Sequence, residues 1–207
     1  MIHYLSERIA VFLFDNNDKY PLDIYIYGIE LTLSSLLGAV IILILGLFSG
    51  LLVESIIFMI SLSLIRVFTG GYHASTYLRC NSVLIISYIF VAFSYRYYLT
   101  NLIEYTYLIA SIIFLILFSI VAIFTPVKTE RKDISVQDRH KFKILSLVIA
   151  FIYLLLFVLF YGILGVKQVI VILPTMVVVG ISILVEIIFN ERRNSNERLK
   201  TEFKENG

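Results

Sequence analysis

The chain has 207 residues, 59% of them apolar and only 15% charged, with a mean hydropathy of +0.93. That much apolar surface cannot be hidden in one water-soluble core, so a soluble globular domain is excluded. A formal net charge of +2 says little about partners, no nucleic acid is expected among them, and the single cysteine excludes an internal disulfide.

Residues 1–14 carry Glu7 and Arg8 within an apolar segment and lack a small-residue cleavage site, so a removable signal peptide is not expected. Ile2, Leu5, Ile9, Phe12 and Leu13 recur at helical spacing and predict an interfacial amphipathic helix. Asp15, Asn16, Asn17, Asp18 and Pro21 end it, making residues 1–20 an interfacial helix and turn. Beyond it the apolar residues come in blocks of about twenty, enough to cross about 30 Å of hydrocarbon at 1.5 Å per residue. Six spans are predicted, at residues 28–48, 51–68, 81–98, 105–124, 144–161 and 169–189. Spans of this length are helices, not barrel strands. The expected fold is all-α: a polytopic integral membrane protein of one domain, residues 1–207, with six transmembrane helices and the N-terminal helix. Residues 190–207 form a charged cytoplasmic tail, and no internal repeat is evident.

The basic residues orient these spans. Lys128, Arg131, Lys132, Arg139, Lys141 and Lys143 lie between the fourth and fifth, and Arg192, Arg193, Arg198, Lys200 and Lys204 follow the sixth. Both regions should be cytoplasmic. Counting back through an even number of spans puts the N-terminus and the connection between spans two and three on the same side. Of the 17 basic residues only Arg96 and Lys167 then face outward. Tyr95, Tyr97, Tyr98, Tyr105 and Tyr107 bracket the outer turn as an interfacial aromatic belt would. Glu54 and Glu186 are intramembrane carboxylates. Glu54 falls near the outer end, and Glu186 falls within reach of Arg192 or Arg193 at the cytoplasmic interface.

The connection between spans two and three holds Arg66, Gly70, Gly71, His73, Arg79, Cys80 and Asn81. Here the only thiol and an imidazole lie close in sequence, and a nucleophilic cysteine needs its base within about 2.6–3.2 Å. Seven residues along one unbroken helix would set His73 and Cys80 roughly 10 Å apart, too far for proton transfer. The paired glycines are the local feature able to break the helix, each costing near 1 kcal/mol of helix propensity. Cys80 then falls at or near the head of the third span, where free N–H groups and the positive end of the helix dipole stabilise a thiolate. No carboxylate lies between Arg66 and Asn81 to orient His73, which leaves Asn81, Ser75, a backbone carbonyl or a residue of another span. On spacing alone two readings stay open: a nucleophile with its base, or a cysteine packed as a small hydrophobe beside a snorkelling histidine. The three histidines and lone cysteine show no zinc-ligand spacing, so neither metal nor other cofactor is expected.

Arg66, Gly70, Gly71, His73 and Cys80 follow an order of Arg, Gly-containing turn, His and Cys that closely resembles the accessory gene regulator B family (AgrB). These are membrane cysteine endopeptidases that process the precursor of a cyclic autoinducing peptide in quorum sensing. The resemblance extends to overall length, the multi-span layout and the basic stretch at 126–133. It implies a catalytic dyad of His73 and Cys80 in a bacterial cell membrane, with Arg66 and Gly71 supporting the site; the local reading adds Gly70, Arg79 and Asn81 as supporting residues, and the basic residues set the site at the cytoplasmic face. It implies as partner a small AgrD-like peptide with an amphipathic N-terminus and an acidic C-terminal tail, and it allows a homodimer within the lipid. Lys128, Arg131 and Lys132 are the candidates to hold that tail, against the alternative of an ordinary positive-inside signal. The rival function is a transporter or peptide-export component without covalent chemistry, using Glu54 and Glu186 in a polar pathway.

Overall fold

The computed structural model describes the backbone of residues 2–14, 21–69, 76–125 and 136–205. Every element among them is helical: α1 (Ile2–Phe14), α2 (Leu22–Ser49), α3 (Leu52–Thr69), α4 (Tyr77–Asn101), α5 (Thr106–Phe124), α6 (Val136–Phe157) and α7 (Ile172–Glu205). A short 3-10 turn, Ile103–Tyr105, leads into α5, and a π-helical stretch, Val158–Ile163, continues α6. A second 3-10 turn, Lys167–Val171, opens α7. Among the described residues, five stretches are long and apolar enough to cross a membrane: Leu22–Ser49, Tyr77–Asn101, Ile103–Phe124, His140–Ile163 and Lys167–Arg192. The chain is thus a multi-pass membrane protein with an N-terminal helix. The predicted span at 51–68 coincides with α3, whose 18 residues carry Glu54 in the first turn and Arg66 in the last.

The helices alternate in direction. Tyr107 packs on Tyr161 and Phe114 on Phe157, so α5 and α6 run antiparallel. Glu30 and Ser34 of α2 bond Tyr77 and Asn81 of α4 in the same order, so those two helices run parallel, with α3 returning between them. One end of the bundle therefore gathers the start of α2, the end of α3 and the start of α4. The opposite end holds the α2–α3 turn and the α4–α5 connection. At the centre is α7: 61% of its apolar stretch is buried, against 22% or less for the other four spans, and every residue from Val169 to Met176 is buried.

Helix α2 meets its neighbours through Glu30, Ser34, Gly38, Ile42 and Gly46, all buried and spaced by four, which places them along one face. Small residues at such positions let helix backbones approach closely where lipid supplies no hydrophobic drive for association. At the far end of this stripe Gly50 takes a left-handed φ of 69°, its N–H returning to the Gly46 and Leu47 carbonyls, so the chain reverses into α3 within two residues. Hydrogen bonds across helices secure that end. Ser55 Oγ and Tyr88 Oη are 2.7 Å apart, Tyr95 Oη donates to Glu54 at 3.0 Å, and the Arg96 guanidinium donates to the Ser49 carbonyl. The tyrosine belt is accordingly split. Tyr97, Tyr105 and Tyr107 are exposed, whereas Tyr95 and Tyr98 turn inward, Tyr95 because Glu54 needs a donor away from water.

The close approach at Gly46 gives a test. A Cβ there would sit 2.8 Å from Ser55 Cβ, while Gly28 has nothing within 4 Å. Gly46→Val should destabilise the detergent-solubilised protein by about 1–3 kcal/mol, and Gly28→Val by under about 1 kcal/mol. Thermal unfolding followed by circular dichroism reads the difference.

Candidate active site around Cys80

Helix α3 closes with Thr69, whose buried hydroxyl bonds the Ile65 carbonyl at 3.0 Å. Residues Gly70, Gly71 and His73 lie outside the described residues, as do Lys128, Arg131 and Lys132. Thr76 is extended (φ −132°, ψ 149°) and accepts from Arg79 N–H with its hydroxyl at 3.3 Å. This is an N-cap: the threonine oxygen satisfies one of the donors that a helix start leaves unpaired. The extended cap means that the helix carrying Cys80 does not continue back to His73. The arrangement that would have held the two about 10 Å apart is therefore absent.

Cys80 sits in the first turn of α4, its N–H bonded to the Thr76 carbonyl at 3.0 Å. It is half-buried and its thiol is free. Helical Cα–Cβ bonds tilt toward the N-terminus, so the thiol leans toward the positive end of the helix dipole. Arg79 is exposed, and Arg66, in the last turn of α3, is half-buried. Asn81 faces α2 instead: its amide donates to Ser34 Oγ at 3.3 Å, and its carbonyl oxygen lies against Gly38.

A second polar cluster adjoins this turn. Glu30 of α2, nearly buried, accepts the Tyr77 hydroxyl on one carboxylate oxygen at 2.7 Å and His3 Nδ1 on the other at 2.5 Å. It joins α1, α2 and the first residue of α4. No sequence pattern marks this cluster, because its partners lie 27 and 47 residues from Glu30. The only local signal is a carboxylate inside an apolar helix.

Elsewhere, Glu54 is bonded to Tyr95 at the end of the bundle away from Cys80, and Glu186 is buried in α7. Among the described residues no group of three His, Cys, Asp or Glu side chains is placed to hold a metal ion. A groove of about 420 Å³ between α3 and α6, lined by Ile57, Ile60, Leu64, Ile152, Leu156 and Phe160 among others, takes no residue from α4. Its walls are aliphatic and aromatic, fit for lipid chains and not for acyl transfer.

Comparison with known proteins agrees with the family that the sequence resembles. The profile of the accessory gene regulator B family matches residues 6–189. Two Clostridium perfringens proteins align over 167 residues, covering 76% of this chain and 76% of theirs: an AgrB-like protein 2 of strain 13 at 29% identity, and an AgrB-like protein of strain SM101 at 28%. No solved structure matches. With nearly the whole span region covered by the family profile, the chain belongs to the accessory gene regulator B family.

Proposed function

We propose that the chain is a membrane-embedded cysteine endopeptidase that removes the C-terminal part of a small AgrD-like precursor and cyclises what remains into an autoinducing peptide. The observation that carries this reading is family membership across residues 6–189, joined to a free, half-buried Cys80 in the capped first turn of α4. In this reading His73 takes the Cys80 proton and the thiolate attacks the scissile carbonyl. The C–N bond then breaks, with His73 returning the proton to the leaving amine. The N-terminal part stays on Cys80 as a thioester. A thiol or hydroxyl of the precursor displaces Cys80 and closes a thiolactone or lactone, favoured over hydrolysis by proximity in a site poor in water. Because a thioester lies above an amide in free energy, departure of the C-terminal fragment draws the reaction forward.

The same reading assigns α3 as a sixth span and places all 207 residues in one domain. It sets the end of the bundle that holds Glu30, Thr69 and Cys80 in the cytoplasm, together with both termini. The distribution of basic residues supports that orientation. Arg66, Gly70, Gly71 and Arg79 support the site, and Lys128, Arg131 and Lys132 attract the precursor's acidic tail. A homodimer is compatible with this assignment.

Co-expression of the precursor with wild type, Cys80→Ala or His73→Ala, followed by mass spectrometry of the peptide, tests the dyad. Each variant should lose at least about 1,000-fold in processing rate, and wild-type processing by either defeats the assignment. If the basic residues hold the acidic tail, replacing Lys128, Arg131 and Lys132 together by Ala should raise KM severalfold with kcat little changed. Raising ionic strength from about 0.05 M to 0.5 M should do the same to the wild type. A KM indifferent to salt leaves these residues as orientation signals only.

A further inference from the structure

The first turn of α4 is held from outside by two rungs in register. Tyr77 bonds Glu30 at 2.7 Å and Asn81 bonds Ser34 at 3.3 Å, and each pair of residues is one helical turn apart on its own helix. Gly38 continues the contact one turn further, so close that a Cβ would lie 2.9 Å from Asn81 Oδ1. Cys80 lies between the rungs in sequence and about 60° around the helix from Tyr77, at the edge of the face that α2 grips. Of the two rungs the Glu30 one is the stronger, because a hydrogen bond to a carboxylate is shorter and roughly twice as strong as one between neutral groups. Both Glu30 oxygens are engaged, which offsets the cost of a carboxylate two turns inside an apolar helix.

We propose that Glu30 is a positioning residue for the Cys80 nucleophile: by accepting the Tyr77 hydroxyl it fixes the first turn of α4, and with it the direction from which the thiol meets the scissile carbonyl. The inference rests on the reading of Cys80 as the nucleophile. Acyl transfer is sensitive to such placement, since a displacement near 1 Å can cost on the order of 100-fold in rate. Glu30→Gln keeps an amide oxygen able to accept from Tyr77, whereas Glu30→Ala and Tyr77→Phe each remove the rung. His3→Ala removes only the contact with α1.

The lone cysteine permits a direct readout in the full-length protein. A methanethiosulfonate spin label on Cys80 should show higher mobility by electron paramagnetic resonance in Glu30→Ala and Tyr77→Phe. The double variant should match the singles, and Glu30→Gln and His3→Ala should resemble wild type. In unlabelled protein acting on a synthetic precursor with an amphipathic N-terminal half, one cysteine and an acidic tail, Glu30→Ala and Tyr77→Phe should each lower kcat about tenfold, with KM within about twofold. Their effects should not add, and Glu30→Gln should stay within about threefold of wild type. An unchanged spin-label spectrum, additive losses, a loss confined to KM, or a Glu30→Gln as impaired as Glu30→Ala each overturns the proposal. Cys80→Ala, run alongside, separates the two failures. If it is inactive while Glu30→Ala is normal, only the positioning role falls, and if it is fully active, the nucleophile reading falls and the positioning role with it.

Discussion

The buried stripe of α2, its residues spaced by four, is the contact on which the geometry of the site depends. In hydrocarbon, helices gain little from burying apolar groups against one another, and association rests on close packing and interhelical hydrogen bonds. Helix α2 supplies both along one line. Glu30 and Ser34 bond the head of α4, Gly38 lets that helix approach, and Gly46 admits Ser55 of α3 at the other end. Ser55 in turn meets Tyr88 of α4, so α4 is held to α2 at one end and to α3 toward the other. Each such bond is worth only about 1 kcal/mol, but several in register leave α4 little freedom to rotate or slide.

That constraint decides where the single thiol sits. A cysteine in the middle of an apolar span would be a packing residue, silent in chemistry. Thr76 stops the helix four residues before Cys80, placing the thiol in the first turn with the helix dipole behind it. The same cap ends the helix that carries Cys80 short of position 73, so under the proposed dyad His73 does not meet Cys80 through helical spacing. No carboxylate lies in residues 66–81, and the one bonded to the head of α4 is Glu30, which touches Tyr77 and His3.

Composition and block length made the membrane class and most helix positions legible, because about twenty apolar residues have few other uses. The ends were less so. Helix α2 begins at Leu22, ahead of the predicted start at 28, since Asp23 and the tyrosines that follow obscure an apolar edge without preventing helix formation. Likewise α7 runs on to Glu205, as charged residues with good helical propensity extend a helix that hydropathy ends at 189. Cys80 near the head of a helix was readable from the onset of the apolar run, whereas the cap itself is Thr76. Glu30 was not. It sits just inside an apolar block, where a carboxylate looks interfacial, and only its distant partners on α1 and α4 give it a place in the site. Tyr95 was misassigned to the aromatic belt for the same reason, its partner Glu54 being 41 residues away.

In the proposed reaction the N-terminal part of the precursor passes through a thioester on Cys80. Acid quenching of the solubilised protein during turnover, followed by intact-mass analysis, measures it directly. The wild-type protein should carry an adduct equal in mass to the precursor less its C-terminal fragment. It should be mapped to Cys80, released by neutral hydroxylamine, and absent from Cys80→Ala. Turnover of the precursor with no such adduct at any quench time, or an adduct of equal amount on Cys80→Ala, would contradict it.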